Sequence, residues 1–510
     1  MAQNVAQLHD LSSKDAKMAL LWQRKIEYEA DKEGLLCRIE EIDYKIKEVQ
    51  AEYNAMHNSL TPVMSLPMEV TCMIFQFAHE YTKQRHSTEA KLPRVEIVVS
   101  HVCSQWRSIS LSCPHIWSNF CYDAHETSCN HLNRLNAYLG RSATVALDLW
   151  FDFGAVFVDH HLALLQQTLP HVERWKRITI ILGWKDEFLP FLSSIRDVAA
   201  PNLEHFTFCA GRRMLRWDSP ITSLQPTIFT PGAPKLRFFM MDCSVVACLP
   251  PLSNITTLRL ETLDGLRPRF FSAAAFLNIL TLPSLVNLSL VGNTFDLIGT
   301  GSCIAMHNLR HLRSSEHALM SLLPSIRAPQ LETLIMHNNL FRREVEEPYA
   351  FPSLQKVSLL NCSVASHQAA ICFARITENA TDIIISQTDL TGNSFFYALQ
   401  AADVASSQTL WSKVDSLACN FRLVVQSDVG LFLDFATARR ENDLTLRIFD
   451  NLHAFWKEGN RSEYRALLRA CTIETMDSAD NPLVQPWPPG EDNTDHLHGY
   501  NEDPFTFHPY

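Results

Sequence analysis

Glycine is scarce in this sequence, at 15 of 510 residues, and the glycine motifs that bind nucleotide phosphates are absent. The chain also lacks the Gly-x-Ser-x-Gly turn of many hydrolases and the His-Glu-x-x-His helix of zinc proteases. Such motifs are often the basis on which a sequence is assigned to an enzyme class. Their absence leads us to expect a non-catalytic protein without a cofactor.

Long apolar runs are missing as well. No stretch approaches the roughly 18 consecutive apolar residues of a membrane-spanning helix. The beginning of the chain turns charged early, without the apolar segment of a signal peptide. The net charge of −11 disfavours a broad nucleic-acid surface, which needs clustered Lys and Arg. We therefore expect a cytoplasmic or nuclear protein that binds neither membranes nor nucleic acid.

Paired cysteine motifs are absent, although the chain has 14 Cys. Several of them, such as Cys72, Cys209 and Cys372, lie within apolar runs, which favours buried, reduced thiols over disulfides. Histidines occur near Cys72 and Cys103, but their spacing is irregular and contains no paired knuckle. We therefore expect no metal site.

What the sequence does contain is ample apolar material, at 46% of residues, and enough length for two to four structural units. After a disordered stretch at 1–13, residues 14–57 are predicted to form a coiled-coil helix. Its apolar residues alternate at spacings of four and three: Leu35, Ile39, Ile42, Ile46, Val49, Tyr53 and Met56. A homodimer through this seam and a helix folded back on its own domain are equal alternatives.

A compact helical block follows the coiled-coil segment. Pro62 and Pro67 bar a helix from continuing through the residues before them. Apolar periodicity then predicts one helix from Met68 to Ala78 and another from Val98 to Ile109. The polar stretch 81–91 is predicted to be a loop between them.

A short apolar pattern recurs through residues 171–450, at intervals that average about 27 residues, close to those of leucine-rich repeats. Each copy predicts one short strand, and neighbouring copies must stack to bury their apolar faces. Examples are Leu203-Phe206-Phe208, Leu236-Phe239-Met241, Leu285-Leu288-Leu290, Leu331-Leu334-Met336 and Leu354-Val357-Leu359, several preceded by Pro-x-Leu. Asn293, Asn338 and Asn361 are predicted to bridge successive turns by side-chain hydrogen bonds.

Four motifs in the helical block resemble the F-box signature. They are Leu66-Pro67-Met68-Glu69-Val70, Ile74-Phe75, Val102-Cys103-Ser104-Gln105-Trp106-Arg107 and Pro114-His115-Ile116-Trp117. With the long charged helix before them, they resemble fungal F-box domain-containing proteins. The resemblance covers residues 60–120 by motif and extends loosely to the repeats.

The resemblance implies an α+β multidomain protein that acts as the substrate-recognition subunit of a Skp–cullin–F-box ubiquitin ligase. The residues implied to bind the Skp adaptor, and through it the cullin–RING ligase, are Leu66, Pro67, Ile74, Phe75, Val102 and Trp106. The implied domains are the coiled-coil helix (14–57), the F-box (60–120), a connector and cap (121–170), an irregular leucine-rich-repeat solenoid (171–450), a capping helix (451–475) and an acidic, Pro-rich disordered tail (476–510).

An unknown target protein is expected on the exposed strand positions of the repeats. These are Glu204, His205, Arg237, Thr257, Arg259, Asn287, Glu332, Thr333, Gln355 and Lys356. Two alternatives remain open. The chain could be an interaction scaffold outside any ligase, or the motif residues could merely form the core of a small helical domain.

Overall fold

The computed structural model divides the chain into two compact units. The first comprises Met1–Ala78 and Val95–Leu111, and the second comprises His79–Arg94 and Ser112–Tyr510. Among the described residues, no helix is both long and apolar enough to cross a membrane. The structure describes residues 2–85, 94–124, 130–154, 159–182, 189–210, 221–241, 249–261, 271–292, 303–315, 317–342, 348–387, 409–421, 428–439, 443–459, 461–476 and 487–489.

A single long helix, α1 (Ala2–Ser59), begins the first unit. It contains the predicted coiled-coil segment and also residues 2–13, which were predicted to be disordered. At 1.5 Å per residue its 58 residues extend about 87 Å. The seam side chains from Leu35 to Met56 are all exposed. The structure therefore does not show the alternative in which the helix folds back on its own domain.

Three shorter helices follow a 3₁₀ turn at Pro62–Ser65. They are α2 (Met68–Arg85), α3 (Val95–Val102) and α4 (Ser104–Leu111). The second predicted helix is therefore divided at Cys103, whose Sγ accepts a hydrogen bond from the backbone N–H of Trp106 at 3.4 Å. Helix α2 continues to Arg85, into part of the predicted loop.

Among the described residues of the second unit, one parallel sheet of fourteen strands dominates. Its strands lie side by side in chain order, and two additional two-stranded parallel ladders accompany it, β8 with β10 and β12 with β14. The strands are β1 (Asn119–Asp123), β2 (Leu147–Asp152), β3 (Trp175–Leu182), β4 (His205–Ala210), β5 (Phe238–Met241), β6 (Thr257–Glu261), β7 (Asn287–Val291), β8 (Ile304–Ala305), β9 (His311–Ser314), β10 (Ile326–Arg327), β11 (Thr333–His337), β12 (Leu340–Phe341), β13 (Lys356–Leu360), β14 (Ser363–Val364), β15 (Asp382–Gln387), β16 (Ser416–Phe421), β17 (Thr445–Phe449) and β18 (Thr472–Met476).

Helices of variable length connect many of these strands. They are α5 (His131–Arg141), α6 (Asp159–Thr168), α7 (Leu189–Ser194), α8 (Ala273–Leu280), α9 (His317–Leu322), α10 (His367–Ile376), α11 (Asp428–Ala438), α12 (Asp450–Gly459) and α13 (Arg461–Ala470), with 3₁₀ turns at Pro114–Trp117, Leu169–Arg174 and Leu323–Ser325. Strands β1 and β2 precede residue 171, so the sheet begins earlier in the chain than the predicted start of the solenoid. It also extends past 450, because the predicted capping helix is two helices followed by strand β18.

Ladders of apolar side chains form the core along one face of the sheet. Leu258 of β6 pairs in register with Leu288 of β7, which pairs with Leu312 of β9. The ladder continues through Leu334, Val357 and further strands, and all five of these residues are fully buried. Because consecutive strands are parallel and in register, the repeated apolar pattern places equivalent side chains side by side. The α+β class is thus confirmed, and the repeated strands form a large parallel sheet.

The Pro-x-Leu motifs form turns that lead into the strands. In the first of them, the N–H of Leu203 donates to the carbonyl of Ala200 at 3.3 Å, with Pro201 as the second residue of the turn. Proline favours this position because its fixed φ suits it. The same bond closes the turns before Leu236, Leu285 and Leu354.

A ladder of polar side chains joins these turns, and the sequence analysis did not predict it. Asn308 Nδ2 donates to the carbonyl of Pro283 at 2.6 Å, and Ser353 Oγ donates to that of Pro329 at 2.7 Å. Asn202, Asn254, Ser284 and Asn379 make similar bonds to the carbonyl of an earlier turn. Each bond satisfies a backbone acceptor outside the strand ladder.

Side chains also bridge successive turns where the strands end. The predicted bond of Asn361 is confirmed, because its Nδ2 donates to Asn338 Oδ1 at 2.6 Å, at an exposed position. The buried bridges lie one residue later. Asn339 Nδ2 donates to the carbonyl of Ser314 at 3.0 Å, and Cys362 Sγ donates to that of Met336 at 3.4 Å. Asn293 lies outside the described residues.

Candidate functional site

The F-box-like motif begins in an extended segment between the 3₁₀ turn and α2. Leu66 has an extended backbone, with φ −65° and ψ 140°, because Pro67 disfavours the helical region for the residue before it. The side chain of Leu66 is half-buried, and Pro67 is exposed. The carbonyl of Pro67 accepts bonds from both the N–H and the hydroxyl of Thr71. This places the start of α2 immediately after the Leu-Pro pair.

Phe75 and Trp106 form the aromatic centre of the helical block. Their ring centroids are 5.1 Å apart and their planes meet at 64°, an edge-to-face contact. Phe75 is only 1% exposed, and Trp106 is half-buried. Of the six residues implied to bind the adaptor, this is the pair whose rings the structure brings into contact. Phe75 therefore packs inside the protein instead of lying on its surface.

Two polar contacts fix helices α3 and α4 in this block. Arg107 Nε donates to the carbonyl of Ser100 at 2.8 Å, which connects α4 to α3. Gln105 Nε2 donates to the carbonyl of Met64 at 3.2 Å, which connects α4 to the 3₁₀ turn. These bonds to backbone acceptors connect α3, α4 and the 3₁₀ turn that precedes the Leu-Pro pair.

An apolar surface remains outside this core. Ile74 is 46% exposed and Val102 is 55% exposed, and both belong to the motif set. Phe77 is 67% exposed, and Met73 and Val98 are exposed in the same way, although the resemblance assigned them no partner. The signal that could have identified Met73 and Phe77 is the number of apolar residues in α2, which is more than one helix face can bury. Large exposed apolar patches often belong to interaction sites, so these residues are the candidate partner surface of the helical block.

The second candidate surface is the polar face of the large sheet. The side chains at the centre of this face are buried. In register across β6, β7 and β9 lie Arg259, Ser289 and Arg313, all buried. Arg259 donates two bonds to the carboxylate of Glu261, at 2.8 and 2.7 Å. Arg313 donates to the same carboxylate at 2.8 Å and to Ser289 Oγ at 2.7 Å.

Electrostatics keep this buried network charged. Burial by itself raises the pKa of Glu261, but the two guanidinium groups of Arg259 and Arg313 outweigh it and hold the pKa well below its usual range. Bidentate Arg–carboxylate geometry supplies the hydrogen bonds that a buried charge requires. The network is a fixed structural element of the sheet at neutral pH.

A residue of the tail covers this network. The ring of Trp487 lies over the guanidinium of Arg313, 4.4 Å from its centroid, and Trp487 is 4% exposed. At this point the structure differs from the disordered tail that was predicted from residue 476, because the tryptophan buries its ring on the sheet. Met476, where that tail was predicted to begin, is the last residue of β18.

The predicted target-binding positions therefore fall into two groups. Thr257, Arg259 and Asn287 are buried, and Asn287 Nδ2 donates to Thr257 Oγ1 at 2.8 Å, so a target cannot reach them. Arg237 and Gln355 are exposed. The remaining positions are half-buried, namely Glu204, His205, Glu332, Thr333 and Lys356. The accessible positions lie on either side of the covered centre.

Three histidines cluster around Tyr122, and the sequence analysis did not identify them. The hydroxyl of Tyr122 lies 2.9 Å from His161 Nε2 and 3.2 Å from His160 Nε2, and the rings of His131 and His160 stack. Burial, then the neighbouring His160 and His131, lower the pKa of His161 to about 4. The imidazole of His161 is therefore neutral at physiological pH.

Across the part of the chain that the structure describes, no three His, Cys, Asp or Glu side chains come together so as to hold a metal ion. Burial raises the pKa of the Cys362 thiol to about 12 and that of Cys471 to about 11. These thiols are protonated at neutral pH and therefore poor nucleophiles.

The chain matches no protein-family model and no curated protein sequence. A function must therefore be argued from the surfaces described above. Two features carry that argument: the exposed apolar residues of the helical block and the accessible positions on the polar face of the sheet.

Proposed function

We propose that this protein is a non-catalytic substrate receptor of a Skp–cullin–F-box ubiquitin ligase. In this proposal the helical block of residues 60–120 binds the Skp adaptor, and the sheet-bearing unit binds a target protein. The mechanism is tethering, because holding the target near the ubiquitin-charged enzyme raises its effective concentration. No residue of this chain would take part in bond making.

The exposure of Ile74 and Val102 is the observation that carries the adaptor proposal. Both side chains occupy positions where the F-box resemblance implies contact with the adaptor, and neither is buried in the interior. An apolar surface of this kind suits a partner that is bound most of the time. Phe75 supports the surface from beneath, through its contact with Trp106.

The sheet supports the assignment of the second unit to irregular leucine-rich repeats. Its strands are parallel and follow chain order, and Asn339 and Cys362 occupy the eighth position after Leu331 and Leu354. Asn or Cys at this position is typical of leucine-rich repeats. Both side chains bond backbone carbonyls of the neighbouring turn.

Co-purification with the Skp adaptor tests the first contact. Ile74→Asp and Val102→Asp place a charge on the exposed apolar surface, so we expect each variant to lose the adaptor while its circular dichroism stays as in the wild type. Ser108→Asp, at an exposed polar position of α4, adds the same charge and is expected to retain the adaptor. Retained binding by both apolar-site variants would refute the proposed contact.

The Ile74→Asp chain also serves to identify the target. Because it keeps the target-binding unit but loses the ligase, it is expected to bind targets without causing their turnover. Proteins that accumulate both in a strain lacking the chain and in an Ile74→Asp strain, and that co-purify with the variant, are the expected targets. If no protein accumulates in either strain, the chain acts as a scaffold outside protein turnover.

A further inference from the structure

The seam of α1 is a continuous apolar stripe whose side chains remain exposed. Its seven residues are all exposed, from 49% for Ile42 to 68% for Met56. Most helical stability in proteins comes from packing of an apolar face, not from intrinsic propensity. A helix with a regular, exposed seam therefore calls for a partner of matching periodicity.

We propose that α1 pairs with α1 of a second copy of this chain, as a parallel, in-register, two-stranded coiled coil. This inference does not depend on the proposed ligase function. It rests on the seam, on the residues within it and on the charges beside it.

The spacing fixes the heptad positions. Ile39, Ile46 and Tyr53 take position a, and Leu35, Ile42, Val49 and Met56 take position d. Continuing the same frame towards the N-terminus places Lys25 and Lys32 at a, with Tyr28 and Leu21 at d. In a two-stranded seam these lysines lay their stems over the stripe and keep the ammonium group in water. Higher-order bundles enclose position a more fully, so the two lysines favour two strands.

Charges beside the seam match a parallel pairing. In a parallel pair, each g residue faces the e residue five positions later on the other chain. Arg24 then faces Glu29 of the second copy, and Arg38 faces Asp43. The six such pairs between positions 17 and 57 bring no two like charges together. By symmetry each favourable pair occurs twice.

An antiparallel pairing would instead set g against g and e against e. Position g is mainly cationic, with Lys17, Arg24, Arg38 and Lys45 against Asp31 and Glu52. Position e carries Asp15, Glu29 and Asp43 and has no Lys or Arg in this frame. In the antiparallel register that overlaps positions 17–52 fully, Lys17 would face Glu52 and Asp31 would face Arg38, but Arg24 would face Lys45. The parallel arrangement avoids this like-charge pair, which favours it over that antiparallel register.

Sedimentation equilibrium of the full chain tests the oligomeric state. We expect a mass of two chains for the wild type and of one chain for the double variant Ile42→Asp, Ile46→Asp. Tyr44→Asp is the matched control, because Tyr44 lies between these two residues, is 69% exposed and takes the outward position f. This control is expected to remain a dimer, and circular dichroism should show an unchanged sheet in every variant.

Disulfide trapping tests orientation and register. Met56→Cys places a thiol at position d near one end of the seam, so a parallel in-register pair is expected to form a disulfide-linked dimer on mild oxidation. The exposed Cys37 takes the outward position f and serves as the internal control, since the wild type should not cross-link. An antiparallel pair would hold the two introduced thiols far apart and leave the variant uncrosslinked.

A charge reversal gives an independent readout. Arg24→Glu with Arg38→Glu creates like charges at both pairs in each direction, so we expect the dimer dissociation constant to rise about tenfold or more. Adding Glu29→Lys and Asp43→Lys should restore it. A monomeric or trimeric wild type, a Met56→Cys variant that does not cross-link, or a failed rescue would each overturn the proposal.

Discussion

The guanidinium of Arg313 lies 4.4 Å from the ring centroid of Trp487, and each residue buries the other on the polar face of the sheet. Arg313 is held from below by Glu261 and Ser289, so its planar group is already oriented when the indole stacks on it. A residue of the predicted tail thereby packs on the folded sheet, and it divides the polar face into a covered centre and accessible flanks.

Trp487→Ala is expected to loosen the centre of the polar face. Loss of a buried indole and of its cation–π contact should cost about 3 kcal/mol. Hydrogen exchange in β6, β7 and β9 is the measurement, and it should accelerate in the variant. Trp22→Ala, at a 62% exposed position of α1, is the matched control and should leave exchange in these strands unchanged. Equal exchange in wild type and Trp487→Ala would contradict the contact.

Glu261→Gln is expected to destabilise the sheet strongly. It leaves the buried Arg259 and Arg313 without their counter-charge, at a cost of about 3–5 kcal/mol. Replacing all three together by Arg259→Met, Glu261→Leu and Arg313→Met should cost less than the single change, because no charge is then left unpaired. Denaturant unfolding of the two variants side by side is the test, and the reverse order would argue against the network.

Phe75→Ala and Phe77→Ala are expected to act on different properties. Phe75 is buried against Trp106, so its removal should destabilise the helical block by about 3–5 kcal/mol, visible as faster hydrogen exchange in α2 and α4. Phe77 is 67% exposed, so its removal should leave exchange unchanged and, under the proposed function, weaken binding of the Skp adaptor. If both variants changed exchange equally, the assignment of Phe75 to the interior and Phe77 to the surface would fail.

The neighbouring Asn338 and Asn339, which follow the end of β11, should also differ in how much their substitution affects stability. Asn339 is buried and donates to the carbonyls of Ser314 and His337, so Asn339→Ala is expected to cost about 1–3 kcal/mol. Asn338 is exposed and has a φ of +51°, which glycine adopts freely. Asn338→Gly removes the exposed side-chain bond from Asn361, so the unfolding midpoint should fall far less than in Asn339→Ala. Thermal unfolding of both variants provides the comparison.

Stability should fall as the pH drops from about 6.5 towards 4, in part because of His161. Its pKa is lowered to about 4 in the folded protein, chiefly by burial, whereas the unfolded chain takes up the proton near 6.5. Within this window the unfolded state binds more protons, which favours unfolding, by up to about 3 kcal/mol at the acid end.

His161→Gln keeps a hydrogen-bonding partner for Tyr122 and removes the titration, so its stability should depend less steeply on pH. The exposed His307→Gln serves as the control and should keep the wild-type slope. Urea unfolding midpoints measured from pH 7 to pH 4.5 distinguish the two variants. Identical slopes of midpoint against pH for the wild type and His161→Gln would exclude His161 as the source of the pH dependence.

Adjacent residues show how far the sequence could predict the helical block. The prolines at 62 and 67 fixed where α1 ends and α2 begins, and apolar spacing placed Ile74 and Phe75 on one helix. The two residues nevertheless differ in burial, since Phe75 is buried and Ile74 is 46% exposed. Periodicity states which residues share a helix face, but only the packing of α4 decides which of them is covered.

The sequence alone determined the long seam of α1 and the recurring short strands of the repeats, because each follows from apolar periodicity within a few residues. Only the tertiary structure decided that Trp487 covers Arg313, that Glu261 joins arginines of two strands, and that Tyr122 gathers histidines from two helices. These contacts join residues distant in the chain, and their energies arise from burial and charge in a folded environment that no local pattern encodes.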